Sequence, residues 1–310
     1  MLVLSRADVE FALDSDRLVD ALADAFVAVS AGRTSVPPRI VALGPTGLLG
    51  AMAAHVDGTL ASKLVSVFTG NHERGLPSHQ ALVAVFDADD GRPLAVMDGT
   101  HITAVRTAAA SALATRTLAR TDAHVLAVLG AGVQGRSHLD LVPRVRDFRE
   151  TRVASRTRAH AEEVAAATGA TVVDRFEDAV RGADVVCLCT DSPEPVVRRE
   201  WLGQGAHLSS VGYAAEGGEL DPDTVRAGLL VVESRVALEP PPAGADELQG
   251  LAEEDVVELG EILDGSHPGR TSDDEITVYK SMGHAVEDAT AARLVYDRAL
   301  VERLGTDIEL

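Results

Sequence analysis

The chain of 310 residues is short of three things: cysteine, lysine and long apolar runs. Its two cysteines, Cys187 and Cys189, alternate along one apolar segment. They face the same side of a strand, too close for an easy disulfide, and read as buried thiols of a reducing cytoplasm. No apolar run approaches the length of a membrane span. The opening Met1–Arg6 leads straight into what reads as a strand, without a signal-peptide layout. These shortages set the expectation of a cytoplasmic protein with no membrane partner. Lysine is the most telling shortage. Only Lys63 and Lys280 occur, against a background of arginine. In a chain so biased, a surviving lysine marks a position where a compact, titratable ammonium serves and a guanidinium does not.

The formal charge of −20 argues against nucleic acid or an anionic surface as partner. The ten histidines show no paired ligand spacing, so no metal is expected. Ser137, His138 and Asp140 invite a hydrolase reading, but neighbours at one helix start cannot take up triad geometry. The length suits two domains and a substantial core.

What is present is a nucleotide-binding signature. Val125–Leu129 is an apolar run that breaks into Gly130-Ala-Gly132-Val133-Gln134-Gly135, with a helical pattern from Ser137. This is G-x-G-x-x-G between strand and helix. Gly130 permits the tight turn, Gly132 lets a pyrophosphate approach the backbone, and Gly135 lets helix and strand pack closely. The following helix start offers N–H groups to the phosphates. A second strand, Thr151–Thr157, ends in Ser155, Arg156 and Thr157, where an NAD-preferring fold places a carboxylate. Nothing there repels a 2′-phosphate, so NADP(H) is the expected cofactor and NAD(H) the alternative. The bland alternative is a solvated loop with Arg156 and Arg158 on its surface. Third and fourth parallel strands fit Asp184–Thr190 and Ala206–Gly212.

Elsewhere Ser5, with Asp8 three residues on, reads as the cap of a helix continuing from Val9 to Ala31. Short strand candidates follow at 39–43, 48–55, 59–68 and 80–87, separated by Gly-Pro, Asp-Gly and Asp-Asp-Gly punctuation. An alanine-rich helix spans Thr103–Arg120. Further helices are expected from Glu219 and over Ala252–Leu263, a strand at Leu229–Val232, and a strand at Ile276–Gly283 running into a helix to about Leu300. The fold class is therefore α/β: a Rossmann-type doubly wound parallel sheet joined to an α+β, mostly antiparallel, domain.

Taken together, Pro38-Arg39, Ala61–Lys63, Leu76–Gln80, Asp98-Gly99 with Thr103–Thr107, Gly130–Gly135, Val278–Gly283 and Glu287-Asp288 resemble the ornithine cyclodeaminase/mu-crystallin family along nearly the whole chain. The resemblance implies a dinucleotide domain at 119–284 inserted in a substrate and dimerisation domain of 1–118 plus 285–310, and a homodimer. It implies that Arg39, Lys63, Arg106 and Met282 meet an imino- or amino-acid substrate. Ser78, Thr107, Thr190, Val211 and Ser281 join the glycine turn and Ser155–Thr157 as cofactor contacts. Two arginines suit a planar carboxylate. Lys63, beside them, would have its ammonium disfavoured and could act as the catalytic acid. Lys280 reads as a surface residue beside Ser281.

One departure narrows the branch. Members that are ornithine cyclodeaminases carry an acid/base Asp after the fourth strand. Aligned on Val211-Gly212, that position is Ala214, and Glu216 could replace it only if the loop curls back. The mu-crystallin-like members also lack the Asp and reduce cyclic ketimines with NADPH. The expectation is NADPH-dependent reduction of a ketimine acid, with a cyclodeaminase, an alanine- or opine-type dehydrogenase and a non-catalytic NADPH-binding protein as alternatives.

Overall fold

The computed structural model describes residues 1–309, without the side chains of His72 and Glu73. The chain forms two compact units, Met1–Arg106 with His284–Leu310, and Thr107–Gly283.

The first unit opens with β1 (Leu2–Leu4), α1 (Arg6–Ala12) and α2 (Ser15–Ser30). Ser5 and Asp8 form the expected capping box. The single helix expected from Val9 to Ala31 is broken, however. Asp14 accepts from the N–H groups of Asp16 and Arg17 and so starts a second helix. The apolar spacing runs through the break and hid it. Then come β2 (Ile40–Leu43), β3 (Leu48–Val56), β4 (Thr59–Val67), β5 (His79–Asp87) and an unexpected β6 (Pro93–Asp98). Helix α3 (Gly99–Leu118) starts four residues before the expected Thr103, where Asp98 accepts the N–H of His101.

The second unit carries β7 (Val125–Leu129), α4 (Val133–Leu141), β8 (Glu150–Ala154), α5 (Arg158–Thr168), β9 (Thr171–Val172), α6 (Phe176–Val180), β10 (Val185–Leu188) and β11 (His207–Ser210). It continues with α7 (Pro222–Val225), β12 (Leu229–Val232), β13 (Val257–Glu258), α8 (Leu259–Leu263) and β14 (Thr277–Lys280). The helix expected over Ala252–Leu263 is only α8. Val257 pairs instead with Val231, as its β-branched side chain favours. The chain then returns to the first unit through α9 (Ala285–Glu302) and β15 (Thr306–Asp307).

All strands of the second sheet run parallel, in the order β13-β12-β14-β11-β10-β7-β8-β9. Read from β9, the first five follow the doubly wound order 3-2-1-4-5, with the topological switch between β7 and β10. The division between units falls inside α3 rather than at its end. From Thr107 to Thr115 the helix is buried and mostly small, and Ser111 bonds His138 of α4 at 2.9 Å.

The first unit's sheet, β15-β1-β6-β5-β4-β3-β2, is antiparallel apart from β1 beside β6. Helix α9 packs on one face of β3, β4 and β5. On the other face one rung carries Ile40, Ala51, Leu64 and Leu82 across four strands, with Ile40, Leu64 and Leu82 exposed by 71%, 45% and 54%. No helix of the described residues is long and apolar enough to cross a membrane.

Candidate active site

The glycine turn performs three separate tasks. Gly130 has φ of 109°, and a Cβ there would lie 2.4 Å from the carbonyl oxygen of Cys189. At Gly135 a Cβ would lie 2.0 Å from the Gly130 carbonyl oxygen, so any side chain would push α4 off the strand. A Cβ at Gly132 meets nothing within 4 Å, which leaves open space over the backbone where a pyrophosphate would sit. Helix α4 begins directly behind it at Val133, not at Ser137, with no side chain capping its first N–H groups. Gln134 sits in that first turn with its side-chain oxygen buried and unbonded. These features fit a dinucleotide phosphate at a helix N-terminus. His138, buried with its pKa pushed down to about 4 by burial, bonds the Gln134 carbonyl and Ser111. A neutral imidazole so committed is a brace for α4, and no hydrolase group.

Beyond β8, which stops at Ala154, the residues Ser155, Arg156 and Thr157 form the loop before α5. Arg158 is engaged by Glu162 and Asp174, whereas Arg156 is exposed and makes no ion pair among the described residues.

At the carboxyl ends of β10, β11 and β14 lies a polar cluster that sequence reasoning missed. Lys280, expected at the surface, is 1% exposed. Its ammonium reaches three acceptors: Glu247 Oε1 at 2.6 Å, the Gly212 carbonyl at 2.7 Å and Ser210 Oγ at 3.1 Å. Residues on a central strand with apolar layers on both sides are buried whatever their type, which is why the expectation failed. Glu219, expected in a helix, is buried beside it. It accepts from Thr190 N and Oγ1, each at 2.6 Å, from Gly212 N at 2.7 Å and from Ser210 Oγ at 3.0 Å. Burial pushes its pKa up, against Lys280 and these donors. Glu233 takes the Ser281 hydroxyl at 2.5 Å and the N–H groups of Met282 and Gly283. The hydroxyl protons of Thr190 and Ser281 are thus both spent on buried carboxylates, leaving those oxygens only acceptor capacity. Val211 is half-buried, its N–H bonded to Leu188. Ala214 is half-buried and Glu216 exposed, so the carboxylate drawn beneath this loop is Glu219. With four donors on its two oxygens, Glu219 is a structural anchor. Cys187 and Cys189 are buried, with thiol pKa values pushed up by burial, so they are inert.

The first unit holds the other lysine. Lys63 lies on β4, on one rung with Met52, Val83 and Met97, all facing the buried side under α9. Its ammonium is 2.7 Å from Asp288 Oδ2. Arg106, on α3, sets Nε 3.2 Å from Asp288 Oδ1 and Nη1 3.2 Å from Glu287 Oε2. The other Glu287 oxygen accepts the His284 N–H at the start of α9. Burial draws the Lys63 pKa down to about 8, with Asp288 pulling it back up and Arg106 pushing it further down. Burial, rather than the neighbouring guanidinium, is the main cause. Asp288 is pushed up by burial, but Arg106 and Lys63 outweigh that and hold it below the usual carboxylate range. Arg39 stands one residue before β2; continuing the register puts it on the rung of Met52 and Lys63. Ser78, half-buried after the 3-10 turn at Thr69–Arg74, bonds His79. Thr107 is the buried first residue of the second unit.

A model of the ornithine cyclodeaminase/mu-crystallin family matches residues 1–303. The ketimine reductase mu-crystallin of Mus musculus is 42% identical over 257 residues, 81% of this chain and 80% of that protein. The structure of Thermococcus litoralis Δ1-pyrroline-2-carboxylate reductase in complex with NADH and L-proline superimposes with TM-score 0.93 and 35% identity, covering 99% of this chain and 100% of that one. An archaeal alanine dehydrogenase dimer with bound NAD gives TM-score 0.90 and 32% identity, over 100% and 99% of the two chains.

Proposed function

The chain belongs to the ornithine cyclodeaminase/mu-crystallin family, and we propose that within it the protein is an oxidoreductase that uses NADPH to reduce the C=N bond of a cyclic ketimine acid. The observation that carries this reading is Lys63. It is a buried ammonium 2.7 Å from Asp288, its single hydrogen-bonding partner among the described residues, with Arg106 on the same carboxylate. A buried ammonium has three N–H donors, so donors remain to be met by a bound molecule. The names of relatives that cover four fifths or more of the chain agree, since mu-crystallin and the Thermococcus enzyme are both named as reductases of imino acids or ketimines.

In this reading Arg39 and Arg106 take the substrate carboxylate and so fix the neighbouring C=N carbon. When bound, the nicotinamide supplies the hydride that becomes the new C–H bond. Lys63 holds a proton at the substrate nitrogen as that bond forms, a general-acid role that suits its lowered pKa. Apolar Met52, Val83 and Met97 keep water from its rung. The Gly130–Gly135 turn holds the pyrophosphate, and Arg156 with Ser155 and Thr157 takes the 2′-phosphate, which is the basis for preferring NADP(H). The apolar rung of Ile40, Leu64 and Leu82 suits a second copy of the same sheet, consistent with a homodimer.

The loop position where family cyclodeaminases carry their acid/base Asp is Ala214, which has no acid, and Glu216 nearby is exposed, so this loop does not favour cyclodeamination. Likeness to alanine dehydrogenase favours a second reading, amination of a keto acid. The test is loss of reduced-cofactor absorbance when purified protein meets Δ1-piperideine-2-carboxylate. Fast loss with NADPH and slow loss with NADH is expected. No loss with either, but turnover of pyruvate with ammonium, would establish the second reading.

A further inference from the structure

Three consecutive residues converge on one carboxylate at the carboxyl end of the second sheet. Strand β14 ends at Lys280, and Ser281, Met282 and Gly283 then close the second unit. Glu233 follows Val232, the residue of β12 paired with Lys280, and is 2% exposed. One of its oxygens takes the Ser281 hydroxyl at 2.5 Å and the Gly283 N–H at 3.2 Å. The other takes the Met282 N–H at 2.9 Å. Gly283 has φ of 73°, a left-handed value that lets successive N–H groups turn toward a single anion.

The residue type matters chemically. An ionised carboxylate only accepts, and here three donors share its two oxygens. A glutamine in the same place offers one oxygen, and its NH2 would face the N–H of either Met282 or Gly283. Glu233 therefore fixes the path of the turn and the direction of the Ser281 proton, and the Ser281 oxygen is left to accept. A doubly wound sheet seats the two halves of a dinucleotide on either side of its switch point. The Gly130–Gly135 turn after β7 and the Ser155–Thr157 loop after β8 lie on one side, and β10, β11 and β14 on the other. We infer that Glu233 is a positioning residue for the nicotinamide half of the cofactor, acting through the Ser281 hydroxyl and the 281–283 backbone. The inference rests on the dinucleotide reading of the second unit and is independent of which C=N bond is reduced.

The experiment is calorimetric and needs no turnover. NADP⁺ and 2′-phospho-ADP-ribose, which carries a hydroxyl in place of the nicotinamide, are titrated into wild type, Glu233→Gln, Ser281→Ala and the double variant. NAD⁺ and ADP-ribose form a second pair without the 2′-phosphate. Glu233→Gln is expected to weaken the intact cofactor roughly tenfold and to leave its truncated partner within about twofold, the size of one misaligned hydrogen bond confined to one half of the ligand. Glu233→Asp keeps both acceptor oxygens on a shorter stem. It should weaken the intact cofactor less than the isosteric glutamine does, and it carries the test should Glu233→Gln not fold. The losses of Glu233→Gln and Ser281→Ala should combine to less than their sum, because one acts through the other. Equal weakening of intact and truncated ligands makes Glu233 a support of the whole unit, and unchanged affinity for both makes it irrelevant to the cofactor. Either result overturns the inference and leaves the dinucleotide reading standing. A wild type that binds neither pair removes that reading and the inference with it.

Discussion

The two lysines of this chain occupy opposite situations, although both are buried and both are ion-paired. Lys280 spends its ammonium completely. Its three acceptors are a carboxylate, a carbonyl and a hydroxyl drawn from the ends of neighbouring strands and the loop between them. Lys63 spends its ammonium on Asp288 and shares that carboxylate with Arg106. A saturated ammonium is a strut, and an unsaturated one keeps donors for a bound molecule. The difference lies in partner count rather than in burial.

Substituting each lysine by methionine breaks the comparison most sharply. Lys63→Met is expected to lower kcat for ketimine reduction roughly 10²- to 10⁴-fold, the range of a lost general acid. Its melting temperature should change little, because Asp288 keeps Arg106. Lys280→Met leaves Glu247 buried and unpaired, and the expected loss is about 3–5 kcal/mol of stability in denaturant titration. The protein that remains folded should keep its kcat. Equal effects on both quantities at both positions would erase the distinction.

The pH dependence sharpens the same contrast. With the Lys63 pKa near 8, kcat/KM should fall as pH rises through about 8, where the acid is lost. Stability moves the other way at this residue. The folded value lies below the ordinary lysine value of 10.5, so the unfolded chain binds more protons between about 8 and 10.5. The cost of burying the ammonium is present below pH 8 and is relieved across that window. Wild type measured against Lys63→Met by urea titration at pH 7 and pH 10 should show the wild type gaining. Asp288 gives the acid-side counterpart. Its depressed pKa contributes stability that is present above the ordinary Asp range and lost as pH falls through the folded value.

The smallest expected effect concerns the second unit alone. Arg156→Ala should raise KM for NADPH roughly tenfold, the size of one charge-assisted hydrogen bond, and leave NADH unchanged. Arg158→Ala should do much less, because its guanidinium is held by Glu162 and Asp174.

Much of this was written locally. The capping box at Ser5, the glycine turn, the alternating strands of the first unit and the parallel run of the second all depend on neighbours in sequence, so pattern sufficed. The rarity of lysine singled out Lys63 and Lys280 before any fold was known. What failed was also physical. The break at Asp14 left the helical period intact, and Lys280 was misplaced because its surroundings come from β11 and a loop around Glu247.

By itself, the sequence determined which residues could do chemistry and which turn could hold a dinucleotide, because residue type and short-range spacing are enough for both. Only the tertiary structure decided what each charge is for. Arg106 meets Glu287 and Asp288 across 181 and 182 residues of chain. Glu219, Glu233 and Glu247 are three among 48 acidic residues that nothing local marks out. Burial and partner count are properties of the folded packing, and they separate a solvated carboxylate from one that sets a lysine's proton.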